Sequence, residues 1–417
     1  MRRFFKKKIS RSIGLDLGSA TVKAVELTRD GDGVTLSGLS CSERRPGEDL
    51  GETLGRVLGQ RSLSGREVTL AVGGRGVLVR YVPMPKASEA ELRQAMPLEA
   101  ERLLPLELDE MQLDFQVLGP RSNGRGGEAE EVSVLLAACR RDEVQERLDL
   151  TRRRGLVPGA MDVELFAVLN AWERATAEPL SHGAGEGAEE DDSAGDAPGA
   201  AKCEAARDAT EEASEDATRE APDETHGREG EEPSVAAHSQ DGPVPSPAGG
   251  LENESGVAVV DVGATRTTVS VLCGGRPCFS REIGLGGADL TQAVARALGL
   301  GTEDAEAQKR APGEREDELR AATGGVLEDL GHELAHSLDY VEHHEGLPVK
   351  EVWVSGGGAL APGVIDWLGA ALARPVAAWD PLAGLAPRAD ARGLEELDAW
   401  RSSLAVALGL AWRGLAK

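Results

Sequence analysis

Aromatic side chains are scarce in this chain, with 6 Trp, 2 Tyr and 5 Phe among 417 residues. A core of the size that this length allows must therefore be built mainly from Leu, Val and Ala. Cysteine is also rare. The five (Cys41, Cys139, Cys203, Cys273 and Cys278) are scattered, odd in number and without a C-x-x-C pair. That excludes a disulfide framework and points to a reducing, cytoplasmic setting. Cys273 and Cys278 bracket "CGGRPC" and are near enough to meet across a hairpin, but a reduced pair is the expectation. Positive charge is in deficit: 46 Lys and Arg against 72 Asp and Glu leave −26. Nucleic acid is thereby excluded as the main partner, because phosphate contacts need concentrated cations. No apolar run reaches the ~18 residues of a membrane span. The basic start "MRRFFKKKISRS" has no apolar stretch behind it and is not a secretory signal. It reads as a solvated basic tail, with contact to anionic lipid as the alternative.

The negative charge is unevenly placed. Residues 181–250 contain no Phe, Trp or Tyr, and about 19 acidic against 4 basic residues concentrate more than half of the net charge there. Such a composition cannot bury enough apolar surface to offset its ordering entropy, so an acidic disordered insertion over 178–254 is expected. On either side the pattern is that of an α/β protein. "IGLDLG" and "TVKAVELT" read as two strands around a tight turn, and "VTLSGLSC" as a third. Residues 66–155 read β-β-α-β-β-α, enough for a small subdomain. Within them Ser88 and Glu91 form a capping box, and Pro97 should kink or divide the helix they open. "GLVPGAMDVELFAVLNAW" gives a strand and a helix. Beyond the insertion "SGVAVVDVGATRTTVSVLCGGRPCFSREIGLGG" reads as three strands with tight turns, followed by a helix from Ala288 or Asp289, a polar helix at "TEDAEAQKR", and a long helix. The strand "VKEVWVSGGGAL" runs into three glycines, and a last helix ends the chain.

The informative feature is a repeat. "GLDLGSATVKAVEL" (14–27) and "VVDVGATRTTVSVL" (259–272) align without a gap, placing Asp261 on Asp16 and Gly263 on Gly18. Two such hairpins suggest two similar lobes across a cleft. Their glycines and small residues (Gly18, Ser19, Ala20 and Thr21; Gly263, Ala264 and Thr265) let backbone amides approach phosphate oxygens. An Asp at each strand end suits Mg²⁺, which prefers carboxylates and retained water. "GLGGAD", with Gly286 and Gly287 before a helix, adds a third place for phosphate. Gly356, Gly357 and Gly358 form a bend against which a base or ribose would lie.

In this order the segments resemble the phosphate-1, phosphate-2 and adenosine motifs of the superfamily of actin, heat-shock chaperones and sugar kinases. "VPMPKASEAELRQAMPLEAERLLPLELDEMQLDFQVLG", "ALGLGTEDAEAQKR" and "WDPLAGL" narrow the resemblance to the PilM family of type IV pilus assembly proteins, relatives of the division protein FtsA. The resemblance implies an actin-like two-lobed α/β fold with an FtsA-like inserted β-α subdomain. The expected division is a basic tail (1–12), the first part of lobe 1 (13–65), the insert (66–155), a connecting helix (156–177), the acidic insertion, and lobe 2 (255–417) with its last helix returning to lobe 1. It also implies ATP and Mg²⁺, with Asp16 and Asp261 at the metal. The glycine turns and Lys23 would lie at the phosphates, and Glu306, Lys309 and Arg310 at ribose and adenine. Asp162 would orient water, with Glu164 second; a helix cap is the competing role for Asp162. The implied partner is the cytoplasmic N-terminal peptide of a PilN-like membrane protein. A PilO-like protein and motor ATPases follow indirectly, on the inner face of the cytoplasmic membrane, with self-association open. A filament-forming division protein and a small-molecule kinase are the alternatives.

Overall fold

The computed structural model describes residues 10–31, 33–103, 108–120, 131–176 and 255–416. The chain divides into two units, 1–179 with 245–417, and 180–244. The second unit lies outside the described residues, as do the expected acidic insertion (178–254) and most of the basic tail.

In chain order the elements are β1 (Ser10–Leu17), β2 (Thr21–Asp30), β3 (Gly33–Glu43), α1 (Leu50–Gly59), β4 (Glu67–Val72), β5 (Val77–Pro85) and α2 (Glu89–Leu103). Next are β6 (Met111–Pro120), β7 (Glu131–Arg140), α3 (Arg141–Arg153), β8 (Val157–Val163) and α4 (Glu164–Thr176). After the insertion come β9 (Gly256–Val262), β10 (Thr267–Cys273), β11 (Arg276–Ile283), α5 (Gly287–Leu298), α6 (Thr302–Arg310) and α7 (Glu316–Glu345). The chain finishes with β12 (Val349–Ser355), α8 (Val364–Leu372), β13 (Val376–Ala378), β14 (Pro387–Arg392), α9 (Leu397–Trp400) and α10 (Ala405–Leu415).

Two sheets share one topology. The first runs β14-β3-β2-β1-β4-β8 and the second β11-β10-β9-β12-β13. In each, an antiparallel meander is followed by parallel strands: β1 pairs with β4, and β9 with β12. The sequence repeat is thus a repeat of structure. The registers agree too, with Asp16 opposite Lys23 and Asp261 opposite Thr268. The strands β2 and β9 are buried on both faces, as expected of central strands covered by helices on each side.

Period-2 alternation sorts the core. Ile13, Leu15, Val22 and Ala24 pack under α1, whereas Val25 and Leu27 face α4 and α10 between the sheets. Val257 and Val259 enter that same central cluster, while Ala258, Val260 and Val262 pack under α7 and α8. Asp261 is in phase with Val257 and Val259, and Asp16 with Gly14, whose Cα faces α10. Both aspartates are thereby directed between the lobes. The last helix returns to the first lobe: α10 packs on β1, β2, β4 and α4.

The small subdomain differs from its expected bounds. β4 is not part of it, because this strand pairs parallel with β1 and β8 and buries Val68 and Leu70 under the first lobe. The three-stranded sheet β5-β7-β6 with α2 over it is the insert proper. Ser88 and Glu91 make the reciprocal capping bonds. Pro97 does not divide α2, which runs unbroken from Glu89 to Leu103. Pro97 is exposed, so the carbonyl it leaves without a donor stays on the wet side while Leu92, Met96 and Ala100 remain buried.

Candidate functional site

The two repeat hairpins meet tip to tip. Ser19 Oγ lies 3.1 Å from Thr265 Oγ1, a contact between residues 246 apart in sequence. The tips are tight: a Cβ on Gly18 would come 2.7 Å from the carbonyl of Thr21, and one on Gly263 2.9 Å from that of Arg266. The amides of Ser19, Ala20, Ala264 and Thr265 have no intramolecular partner among the described residues. Unpaired amides on short turns are what an anionic ligand requires.

Behind the tips lies a buried cluster of alternating charge. Lys23 Nζ donates to Asp16 Oδ2 at 2.5 Å, with both side chains buried. Burial lowers the Lys23 pKa, but the Asp16 carboxylate outweighs it and holds the ammonium above its ordinary value. Asp261 accepts a 2.8 Å bond from Ser355 Oγ. Burial pushes its carboxyl up to about 6, with repulsion from Asp16 and Glu164 adding to that and Ser355 and Lys23 opposing it. Glu164 opens α4 and is 2.5 Å from the Arg266 guanidinium, which also reaches Glu282 at 3.9 Å. Burial raises Glu164 as well, against the pull of Arg266.

The opposite wall is built from glycines. Gly356 has a φ of +98°, and a Cβ there would overlap the carbonyl of Val262. A Cβ on Gly358 would come 2.5 Å from Val262 Cγ1, so β12 turns against β9 only with these residues. Gly357 follows at the mouth. Nearby, Glu306 on α6 pairs with Lys309 at 2.7 Å and with Arg310 at 2.8 Å. Burial pushes Glu306 up, but bonds from Lys309 and Thr291 leave it below its ordinary value. Arg310 also pairs with Glu43 of β3, across the mouth of the cleft. Beside the hairpin tips a cavity of about 470 Å³ is lined by Arg75, Arg80, Thr265, Arg266 and Glu282 among others.

The structure brings Asp16, Lys23, Asp261, both hairpin tips and Gly356–Gly358 to one place. Three sequence expectations need correction. Asp162 is not in the cluster: its carboxylate takes the Val163 amide at 2.8 Å and Asn170 at 3.4 Å, and lies 3.7 Å from Arg413. Glu164, two residues on and past the end of β8, is the acid that reaches the cluster. The amides before α5 do not await phosphate either. Gly286 N–H donates to Asp289, Gly287 N–H to the carbonyl of Gly263, and Ala288 N–H to that of Ala264. Those bonds fix α5 to the second hairpin, which is a positioning role. Lys309 is likewise turned inward, donating to the Gly287 carbonyl at 2.9 Å and to Thr291 Oγ1 at 2.7 Å. Sequence reasoning missed Arg266, Ser355 and Glu43. Arg266 had a signal: the repeat aligns it with Thr21, a large cation where the first hairpin has a small residue.

The family model "Type IV pilus assembly protein PilM" matches residues 14–187 and 247–415. The chain belongs to the PilM family. The solved structure "PilM-PilN type IV pilus biogenesis complex" is 25% identical, covers 97% of this chain and 98% of its own, and superposes with a TM-score of 0.68. The ethanolamine utilization protein EutJ of Escherichia coli (strain K12) is 29% identical over 108 residues, 26% of this chain and 36% of EutJ. That match spans well under half of the curated relative. EutJ from Carboxydothermus hydrogenoformans is 14% identical, covers 97% of this chain and 89% of its own, and has a TM-score of 0.44. As in PilM, the fold is an actin-like α/β fold, and membership of the PilM family gives the chain a role in type IV pilus assembly. No helix among the described residues is long and apolar enough to cross a membrane.

Proposed function

We propose that the chain is an ATP-binding cytoplasmic adaptor of the type IV pilus inner-membrane platform. It holds the cytoplasmic N-terminal peptide of a PilN-like membrane protein and links it, through a PilO-like partner, to the motor ATPases. The observation that carries the nucleotide half is the meeting of the two hairpins at Ser19 and Thr265, with unpartnered amides on both tips. The partner half rests on family membership and on the likeness to a PilM-PilN complex.

The residues fit ATP in chemistry. The tips would take the phosphates once they part, and Gly356–Gly358 with Glu306 and Arg310 would border the nucleoside. They also fit Mg²⁺ held largely through water. Among the described residues no three carboxylates, thiols or imidazoles are grouped as metal ligands. Asp16 is buried and Asp261 is partly exposed close to it, and the raised Asp261 pKa marks negative charge that a cation would relieve. Bound Mg²⁺ would neutralise phosphate charge. Glu164 is tied to Arg266 and Asp162 is turned elsewhere, so neither of these two acids is free to activate water quickly. The site suits a switch that closes on nucleotide and sets partner affinity. Arg266 is placed to couple the two, since it pairs with Glu164 and also lines the cavity beside β5.

Calorimetry with a synthetic peptide copying the N-terminus of the accompanying PilN-like protein tests the partner. Binding at micromolar affinity or better, altered by MgATP, is expected; no binding with or without MgATP sinks the adaptor reading. For the nucleotide, Asp16→Ala should abolish most of the thermal stabilisation given by MgATP. An undiminished shift would remove the assigned site.

A further inference from the structure

Far from the hairpin tips in sequence, α7 carries His332-Glu333-Leu334-Ala335-His336, an H-E-x-x-H sequence on a helix. Four residues of α-helix turn about 400° and rise about 6 Å, so the two imidazoles stand one turn apart on one face. It is the face away from the core. Leu330, Leu334, Leu338 and Val341 are buried on the opposite side, while His332 and His336 are both exposed. Neither ring has a hydrogen bond, ion pair or ring contact among the described residues. The two histidines further along differ: His343 Nδ1–H donates to the Asp339 carbonyl at 2.7 Å, and His344 does likewise to Tyr340 and stacks on its ring.

We propose that His332 and His336 form a two-imidazole chelate for a borderline divalent transition-metal ion of the Ni²⁺, Zn²⁺ or Cu²⁺ class. Imidazole nitrogen suits these ions and does not suit Mg²⁺ or Ca²⁺. Once one ring has bound, the second is held nearby by the helix at a high effective concentration, so the pair binds far more tightly than either alone. Water fills the remaining positions, because no third ligand group is assembled among the described residues. The site is not that of a zinc peptidase, although the sequence has the form of one. In that chemistry the Glu is a general base beside the metal; here the Glu333 carboxylate is paired with the Arg281 guanidinium of β11.

The test is a calorimetric titration of Ni²⁺ into the untagged full chain, in nucleotide-free buffer at pH 7.5. One ion per chain is expected at this site. His332→Ala and His336→Ala should each weaken it about tenfold or more as the chelate is lost, and the double variant should remove it. His343→Ala should bind like the parent. All three positions are on the exposed side of α7, and matching circular dichroism melts confirm that each variant is folded. No Ni²⁺ uptake by the parent chain, or equal uptake by the double variant, overturns the proposal.

Discussion

Asp261 is costly to the fold at neutral pH. Its carboxyl titrates near 6 in the folded chain, against about 3.9 for an unperturbed Asp. Between those values the folded state holds the proton more tightly than the unfolded state does. The stability it permits is therefore full near pH 4 and declines as pH rises towards 6. Above that the loss is constant, at about 1–3 kcal/mol. Asp261→Asn keeps an acceptor for Ser355 Oγ and removes the charge. It should raise the melting temperature at pH 7.5, with the gain shrinking to nothing near pH 4. A lower melting temperature at pH 7.5 would mean that attraction to Lys23 outweighs burial. A carboxylate that destabilises the fold where the protein works is better explained by a ligand than by packing. The sequence showed Asp16 and Asp261 because their hairpins repeat. It did not separate Asp162 from Glu164, since both lie at the β8–α4 junction and only the exit angle of the chain decides which acid faces Arg266.

At the level of elements, the two hairpins and the long helices were legible because alternation and helical spacing are local. The partners of β4 were not. Its residues suit any buried strand, and only the crossover through β2, β3 and α1 brings it back parallel beside β1. The three-residue β13 and the polar, exposed β14 carry almost no periodic signal. Glycines in helices show the same limit. Gly409 in α10 and Gly324 in α7 look alike in sequence, yet a Cβ on Gly409 would overlap the carbonyl of Ala167 in α4, while Gly324 faces open space. The same substitution should therefore act with opposite sign. Gly409→Ala should cost about 1–3 kcal/mol or more by forcing α4 and α10 apart, and Gly324→Ala should gain about 0.5–1 kcal/mol through helix propensity. Urea denaturation midpoints measure both. Equal shifts would show that the α4–α10 joint yields more readily than its spacing indicates.

Across the whole described unit, the lobes are joined differently at base and mouth. At the base, α4 and α10 lie in one apolar cluster with residues of both sheets, and Trp172 packs on Trp353 and Trp379 at 5.6 and 5.3 Å between ring centroids. At the mouth the connections are polar: Ser19 with Thr265, Arg266 with Glu164, and Arg310 with Glu43. A fixed base and a breakable mouth favour opening about the base. The outermost latch, Arg310–Glu43, has both side chains about half exposed, so it contributes little to stability, typically 0.2–1 kcal/mol for such pairs. Its effect belongs in the rate at which a bound nucleotide leaves. Glu43→Gln should leave the melting temperature nearly unchanged and speed release of a fluorescent ATP analogue by about 1.4- to fivefold at low ionic strength, the kinetic equivalent of that energy. Raising the salt screens the exposed pair, so the parent chain should approach the variant while the variant itself changes little. Equal release rates at every ionic strength would show that this outermost pair is not the gate, and would leave the part-buried Arg266–Glu164 pair as the next to test.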